Sequence, residues 1–257
     1  MSRLVADRLT VRLGGRTALH AVSLVLESGA FVALLGANGT GKSTLLAALA
    51  GLRTPDAGTV TLDGVALSAI GGKALARQRA YLPQSPRAEW PIPVERLVAL
   101  GLTPQLPAFG GLPATLQARV DTALAQCDLL DRRDQPATTL SGGELARAML
   151  ARALVGEPEV LIVDEPLSGL DPRHALDGIE RLRALADGGT LVIASLHDLT
   201  LAARYASHVA VLREGRLIAF GPTAATLTPA LIRDGFDVEA CIGGKGRTTF
   251  VDIVAQG

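Results

Sequence analysis

The sequence predicts an α/β fold built on a parallel sheet, and three stretches predict it. An apolar strand, Phe31-Val32-Ala33-Leu34-Leu35, breaks at Gly36, crosses a loop of small residues and restarts as an apolar helix near Lys42. A second apolar strand, Leu161-Ile162-Val163, ends in Asp164-Glu165-Pro166, and an unalternating run of this kind suits a sheet covered on both faces. Between them, from Pro91 to about Ala153, the apolar residues recur at helical spacing, which predicts a helical subdomain at about 90–155 inserted into one domain spanning 1–257.

The remaining elements follow in order. Leu9 to Leu13 and Val22 to Leu26, separated by Gly14-Gly15, read as strands and turns and predict an antiparallel β subdomain at the N-terminus. The helix after Lys42 should end near Gly51, and Thr59 to Leu62, flanked by Pro55-Asp56 and Asp63-Gly64, reads as a hairpin-like strand pair. Lys73 to Arg79 is short and polar, and Ala80 to Gln84 is a brief apolar approach to a lone glutamine. Helical periods cover Val94 to Leu100, Ala114 to Leu130 and Glu144 to Val155, with a surface loop rich in proline and glycine at Pro104 to Pro113. Strands return at Val160 to Val163, Leu191 to Ala194 and Val209 to Phe220, the last turning at Glu214-Gly215. Residues 223–257 are mixed and weakly patterned.

Composition narrows the function. Hydrophobic residues are 48 % and charged residues 19 %, which excludes a disordered chain. Lys+Arg and Asp+Glu stand at 25 each, so no global charge favours nucleic acid. The longest apolar runs fall far short of the roughly 20 residues that cross a bilayer, and charge interrupts the first residues where a secretory signal would be continuous. Cys127 and Cys241 stand far apart, outside any C-x-x-C, and predict plain thiols in a reducing compartment.

Gly36-Ala37-Asn38-Gly39-Thr40-Gly41-Lys42-Ser43 is the P-loop pattern G-x-x-x-x-G-K-[ST], in its required setting between strand and helix, and Thr44 continues it. Backbone N–H groups in such a loop form a nest for phosphate, and the helix behind adds its positive end. The expected ligand is a nucleoside triphosphate, with Lys42 on the β and γ phosphates and the Ser43 hydroxyl on Mg²⁺. Asp164 would hold the metal through its water shell, and Glu165 would polarise the attacking water. Ser141-Gly142-Gly143-Glu144 is a capping box whose two glycines weaken the helix they open. They make sense where something must approach the backbone closely, which predicts a second phosphate site.

GANGTGKST, YLPQ, LSGGE, VLIVDEP, SGLD and SLHD, in this order, resemble the ATPase subunit of ABC transporters over nearly the whole chain. The resemblance implies a P-loop NTPase core, ATP and Mg²⁺, and a head-to-tail homodimer that sandwiches each ATP between one P-loop and the partner's LSGGE helix. It also implies that Gln84 contacts Mg²⁺ and water, that Asp171 lies at the dimer seam, and that His197 contacts the γ phosphate. Leu13 occupies the position where that family usually stacks an aromatic residue on adenine, which predicts modest affinity and weak base selectivity. Val94 to Pro104 and His197 to Tyr205 are similar to importer ATPases for iron-siderophores, haem and cobalamin, although Leu102 and Gln105 depart from that group's pattern. The expectation is an importer ATPase on the cytoplasmic face of the inner membrane, with separate permease subunits, an indirect binding protein and no nucleic acid. The alternatives are an importer ATPase for another cargo such as zinc or manganese, a soluble ABC ATPase outside transport, and a nucleotide-binding scaffold without turnover.

Overall fold

A computed structural model describes residues 2–84, 88–106 and 112–254. The first two strands, β1 (Arg3–Leu13) and β2 (Arg16–Glu27), form a hairpin through the predicted Gly14-Gly15 turn. They continue into an antiparallel sheet of order β2-β1-β4-β5, with β4 at Ala57–Leu62 and β5 at Val65–Ala66. Both hairpin strands are longer than the sequence reading because polar residues alternate with apolar ones on the solvent face, as in Leu4, Ala6 and Leu9 buried against Arg3 and Arg8 exposed.

The second sheet positions the site. Its order is β10-β9-β3-β8-β7-β6, where β3 is Phe31–Leu35, β6 Arg79–Leu82, β7 Val160–Val163, β8 Leu191–Ser195, β9 His208–Arg213 and β10 Arg216–Pro222. The strands from β9 to β6 are parallel and β10 is an antiparallel edge. Every residue of β3, β7 and β8 is buried, which their continuous apolar sequences require.

Helix α1 (Lys42–Leu49) follows β3, and α2 (Gly72–Gln78) covers the stretch expected only to be short and polar; its one buried side chain, Leu75, is too sparse a signal for periodicity. Between β6 and β7 the described chain forms α3 (Val94–Ala99), α4 (Ala114–Gln126) and α5 (Gly142–Leu154), joined by short 3₁₀ turns. Part of the expected Pro104 to Pro113 loop, 107–111, lies outside the described residues. Helix α6 (Pro172–Asp187) precedes β8, and α7 (Leu199–Tyr205) follows it. The weakly patterned tail forms α8 (Thr223–Thr226), α9 (Pro229–Phe236) and a hairpin of β11 (Glu239–Gly243) and β12 (Phe250–Val254).

Two apolar cores flank the large sheet. Alternate β3 residues enter each: Val32 and Leu34 pack with α1 and the antiparallel sheet, while Phe31, Ala33 and Leu35 pack with the helices on the other face. That double coverage holds the parallel strands side by side and brings their carboxyl ends to one edge.

Candidate active site

Four neighbouring strands deliver the predicted residues to that edge. In spatial order β3 leads into Gly36 to Thr44, β8 ends at Ser195 just before His197, β7 leads into Asp164-Glu165, and β6 leads into Gln84.

The loop after β3 needs glycine at its two ends. Gly36 has φ +146°, and a Cβ there would lie 2.4 Å from Leu212 O; Gly41 has φ +101°, and a Cβ would lie 2.7 Å from Ala18 O. Gly41 is also the N-cap of α1 and supplies no side-chain cap, so the first N–H groups of that helix remain available to an anion. Lys42 is 5 % exposed, and its Nζ donates to Gly36 O at 2.8 Å and Ala37 O at 3.1 Å. Burial lowers its pKa from the usual lysine value, while the charges of Glu165 and Asp164 act in the opposite direction.

Glu165 is the centre of a hydrogen-bonded group. Gln84 Nε2 donates to Glu165 Oε2 at 2.6 Å, and His197 Nε2 lies 2.7 Å from Glu165 Oε1. The structure therefore brings Gln84, Glu165 and His197 together, although 81 residues separate the first two. Asp164 is buried, and Ser195 Oγ donates to its Oδ1 at 2.7 Å while accepting from Glu165 N, also at 2.7 Å. Sequence reasoning missed Ser195. A hydroxyl closing an otherwise apolar strand was the available signal, but its meaning depends on β8 lying beside β7.

The predicted capping box on α5 forms in full. Ser141 Oγ accepts from Glu144 N at 3.3 Å, and Glu144 Oε2 accepts from Ser141 N at 2.9 Å and from Ser141 Oγ at 2.8 Å. The backbone bond from Ser141, then its hydroxyl, hold the Glu144 carboxyl below its ordinary pKa. A Cβ on Gly142 would meet nothing within 4 Å, so packing inside this chain does not require that glycine. Asp171 caps α6 by accepting from Arg173 N and His174 N, each at 3.0 Å, and also bonds His174 Nδ1. No motif in the sequence marks His174. Its ring packs against Gly143, 3.6 Å from where a Cβ would stand, and so joins the Asp171 turn to the first turn of α5.

Among the described residues no cluster of three His, Cys, Asp or Glu side chains could hold a metal by itself. The oxygen donors Asp164 and Ser43 suit Mg²⁺, a hard cation that keeps water and substrate phosphate among its ligands and needs only one or two protein groups. Cys127 is buried, and burial pushes its thiol up to about 11; Cys241 is exposed. Leu13 is 38 % exposed at the end of β1, and the backbone N–H beside it, on Arg12, donates to Asp56 Oδ2 at 2.7 Å.

The family model described as ABC transporter matches residues 19–168, from β2 through both carboxylates. The chain belongs to the ABC transporter family. Among its relatives, the hemin import ATP-binding protein HmuV of Rhodopseudomonas palustris is 44 % identical over 243 residues, covering 91 % of this chain and 88 % of that protein. The cobalamin import ATP-binding protein BtuD of Halobacterium salinarum is 38 % identical over 246 residues, covering 95 % of this chain and 61 % of that protein. A solved chain of a metal-chelate type ABC transporter in an inward-facing conformation superposes with a TM-score of 0.84 at 22 % identity, over 99 % of this chain and 97 % of that one, which establishes likeness of fold. As a member of this ABC family the chain is an ATP-binding subunit and an ATPase. Among the described residues no helix is long and apolar enough to cross a membrane.

Proposed function

We propose that this ABC ATPase powers uptake of haem, another iron chelate or cobalamin through separate permease subunits, as a homodimer on the cytoplasmic side of the inner membrane. The observation that carries the catalytic part is the Glu165 carboxylate held between Gln84 and His197, one residue from Asp164, at the mouth of a P-loop. The names and coverage of the hemin and cobalamin import relatives support the cargo class.

In this reading the N–H groups of Gly36 to Thr44 bind the ATP phosphates, and Lys42 exchanges its bonds with Gly36 O and Ala37 O for the β and γ phosphates. Glu165 accepts a hydrogen bond from the water that attacks the γ phosphate, and orients it in line with the leaving oxygen of ADP. His197 and Gln84 keep that carboxylate on station; His197 then contacts the γ phosphate, and Gln84 the attacking water. Ser43, Asp164 and Gln84 would hold Mg²⁺, which when bound neutralises developing charge on the phosphates. Ser141, Gly142, Gly143 and Glu144 of a second copy complete the site with the open N-terminus of α5, and Asp171 lies at the seam between copies. Closure of the two copies moves the helical region, and a cytoplasmic permease segment seated near Gln84 and Val94 to Pro104 carries that motion into the membrane. The binding protein acts through the permease and does not touch this chain.

The test is co-purification with permeases of two classes, iron-chelate/cobalamin and zinc/manganese, followed by ATP hydrolysis in membranes with cargo-loaded binding protein. Stimulation by haem, an iron chelate or cobalamin is the expected result. Stimulation only with the metal-ion permease would move the cargo to zinc or manganese. Hydrolysis with no association to either would favour the soluble ATPase.

A further inference from the structure

Consecutive residues of an extended strand point to opposite faces, so Asp164 and Glu165, just past the end of β7 at Val163, would diverge if the strand ran on, and the backbone turns there instead. Glu165 makes that turn. Its φ is +48°, in the left-handed region that residues other than glycine rarely adopt. A residue is held there only where its surroundings over-determine it.

One side chain is bonded to both sides of the turn. Ser195 is 0 % exposed at the carboxyl end of β8, and the β7–β8 register, Val163 against Ala194, sets it beside the first residue past β7. Its Oγ accepts from Glu165 N at 2.7 Å and donates to Asp164 Oδ1 at 2.7 Å. The first bond holds the backbone conformation that aims Glu165 at Gln84 and His197. The second restricts the rotation of the Asp164 carboxylate by holding its Oδ1 against β8. A hydroxyl is the side chain that fits, because one atom must accept on one side and donate on the other.

We propose that Ser195 is a positioning residue for ATP hydrolysis, a strut from the neighbouring strand that sets both carboxylates in one geometry. The inference rests on the roles assigned above to Asp164 and Glu165. A hydroxyl that served only to satisfy a buried N–H would affect folding without affecting turnover selectively, and this difference is measurable.

The experiment compares Ser195→Thr, which keeps the hydroxyl, with Ser195→Val, which has nearly the same shape without it, in the full chain with ATP and Mg²⁺. Turnover of Ser195→Val is expected about 10 to 100-fold below Ser195→Thr, the scale of a small misplacement of a reacting group. ATP affinity should differ less than about threefold between them, because the P-loop contacts stay in place. In a Glu165→Gln background the Thr-to-Val ratio should shrink toward one, since the strut then aims nothing useful. Equal turnover of the two variants would overturn the inference, and so would parallel losses of turnover, ATP affinity and melting temperature. If neither β-branched residue folds, Ser195→Ala is compared with the parent by the same three readouts and judged by the same criteria. Glu165→Gln that retains full turnover would defeat the underlying assignment; Glu165→Gln inactive, with Thr and Val alike, would defeat Ser195 alone.

Discussion

At the scale of single residues, the departure with the plainest consequence is Leu13. It stands 38 % exposed at the end of β1, the position at which the resemblance to ABC ATPases implies an aromatic ring on adenine. An aliphatic side chain offers contact area without the face-to-face preference of a π-system, and Arg12, exposed beside it, adds a cation that does not distinguish two purines by itself. ATP and GTP are therefore expected to bind within about threefold of each other, with the phosphates contributing most of the affinity. Equilibrium binding of the two nucleotides measures this directly, and a preference for ATP above about tenfold would count against it. Lys42 illustrates the opposite case, in which the residue type was legible and its surroundings were not. The P-loop spacing marks it as the phosphate lysine, yet its bonds to Gly36 O and Ala37 O depend on how the loop closes.

At the scale of elements, α5 carries a contradiction between stability and use. Its capping box satisfies two backbone donors, but glycine follows at the first two helical positions, where alanine is a better helix former. Nothing within 4 Å of Gly142 excludes a methyl group, and its φ lies outside the left-handed range. Gly142→Ala should accordingly stabilise the chain by about 0.5 kcal/mol or more, seen as a higher melting temperature. It should also lower ATP turnover about tenfold or more if a phosphate or a second copy approaches that backbone. A variant that is both more stable and fully active would remove the case for close approach. The motif was readable because a capping box is a local pattern. The contact of His174 with Gly143 was not, because α5 and α6 lie apart in the chain and meet only in the folded state.

At the scale of the whole molecule, the proposed function places two phosphate contacts on one chain, at the P-loop after β3 and at the first turn of α5. A site completed by a second copy requires association before full catalysis, since fixed dipoles around the γ phosphate supply much of the transition-state stabilisation. The specific rate of the isolated chain should rise steeply with protein concentration and level off once the dimer is populated. A rate per molecule that stays constant across that range would exclude the composite site. The large sheet provides the platform for this: its two apolar cores clamp β3, β7 and β8 so that their loops emerge in fixed order.

The sequence by itself determined the chemistry carried by contiguous residues. The strand-loop-helix around Gly36 to Thr44, the Asp164-Glu165 pair and the Ser141 to Glu144 cap are legible because hydrophobic period, glycine spacing and turn chemistry act over a few residues. Short elements without a clear apolar period, such as α2 and the tail from α8 to β12, were not, since they are held by what they pack against rather than by their own pattern. Only the tertiary structure decided which of those segments meet. Gln84 reaches Glu165 across 81 residues and Ser195 reaches Asp164 across 31, through the order β6-β7-β8. Strand order and register arise from burial of both sheet faces at once, a free energy shared by the whole core that no single stretch of sequence contains.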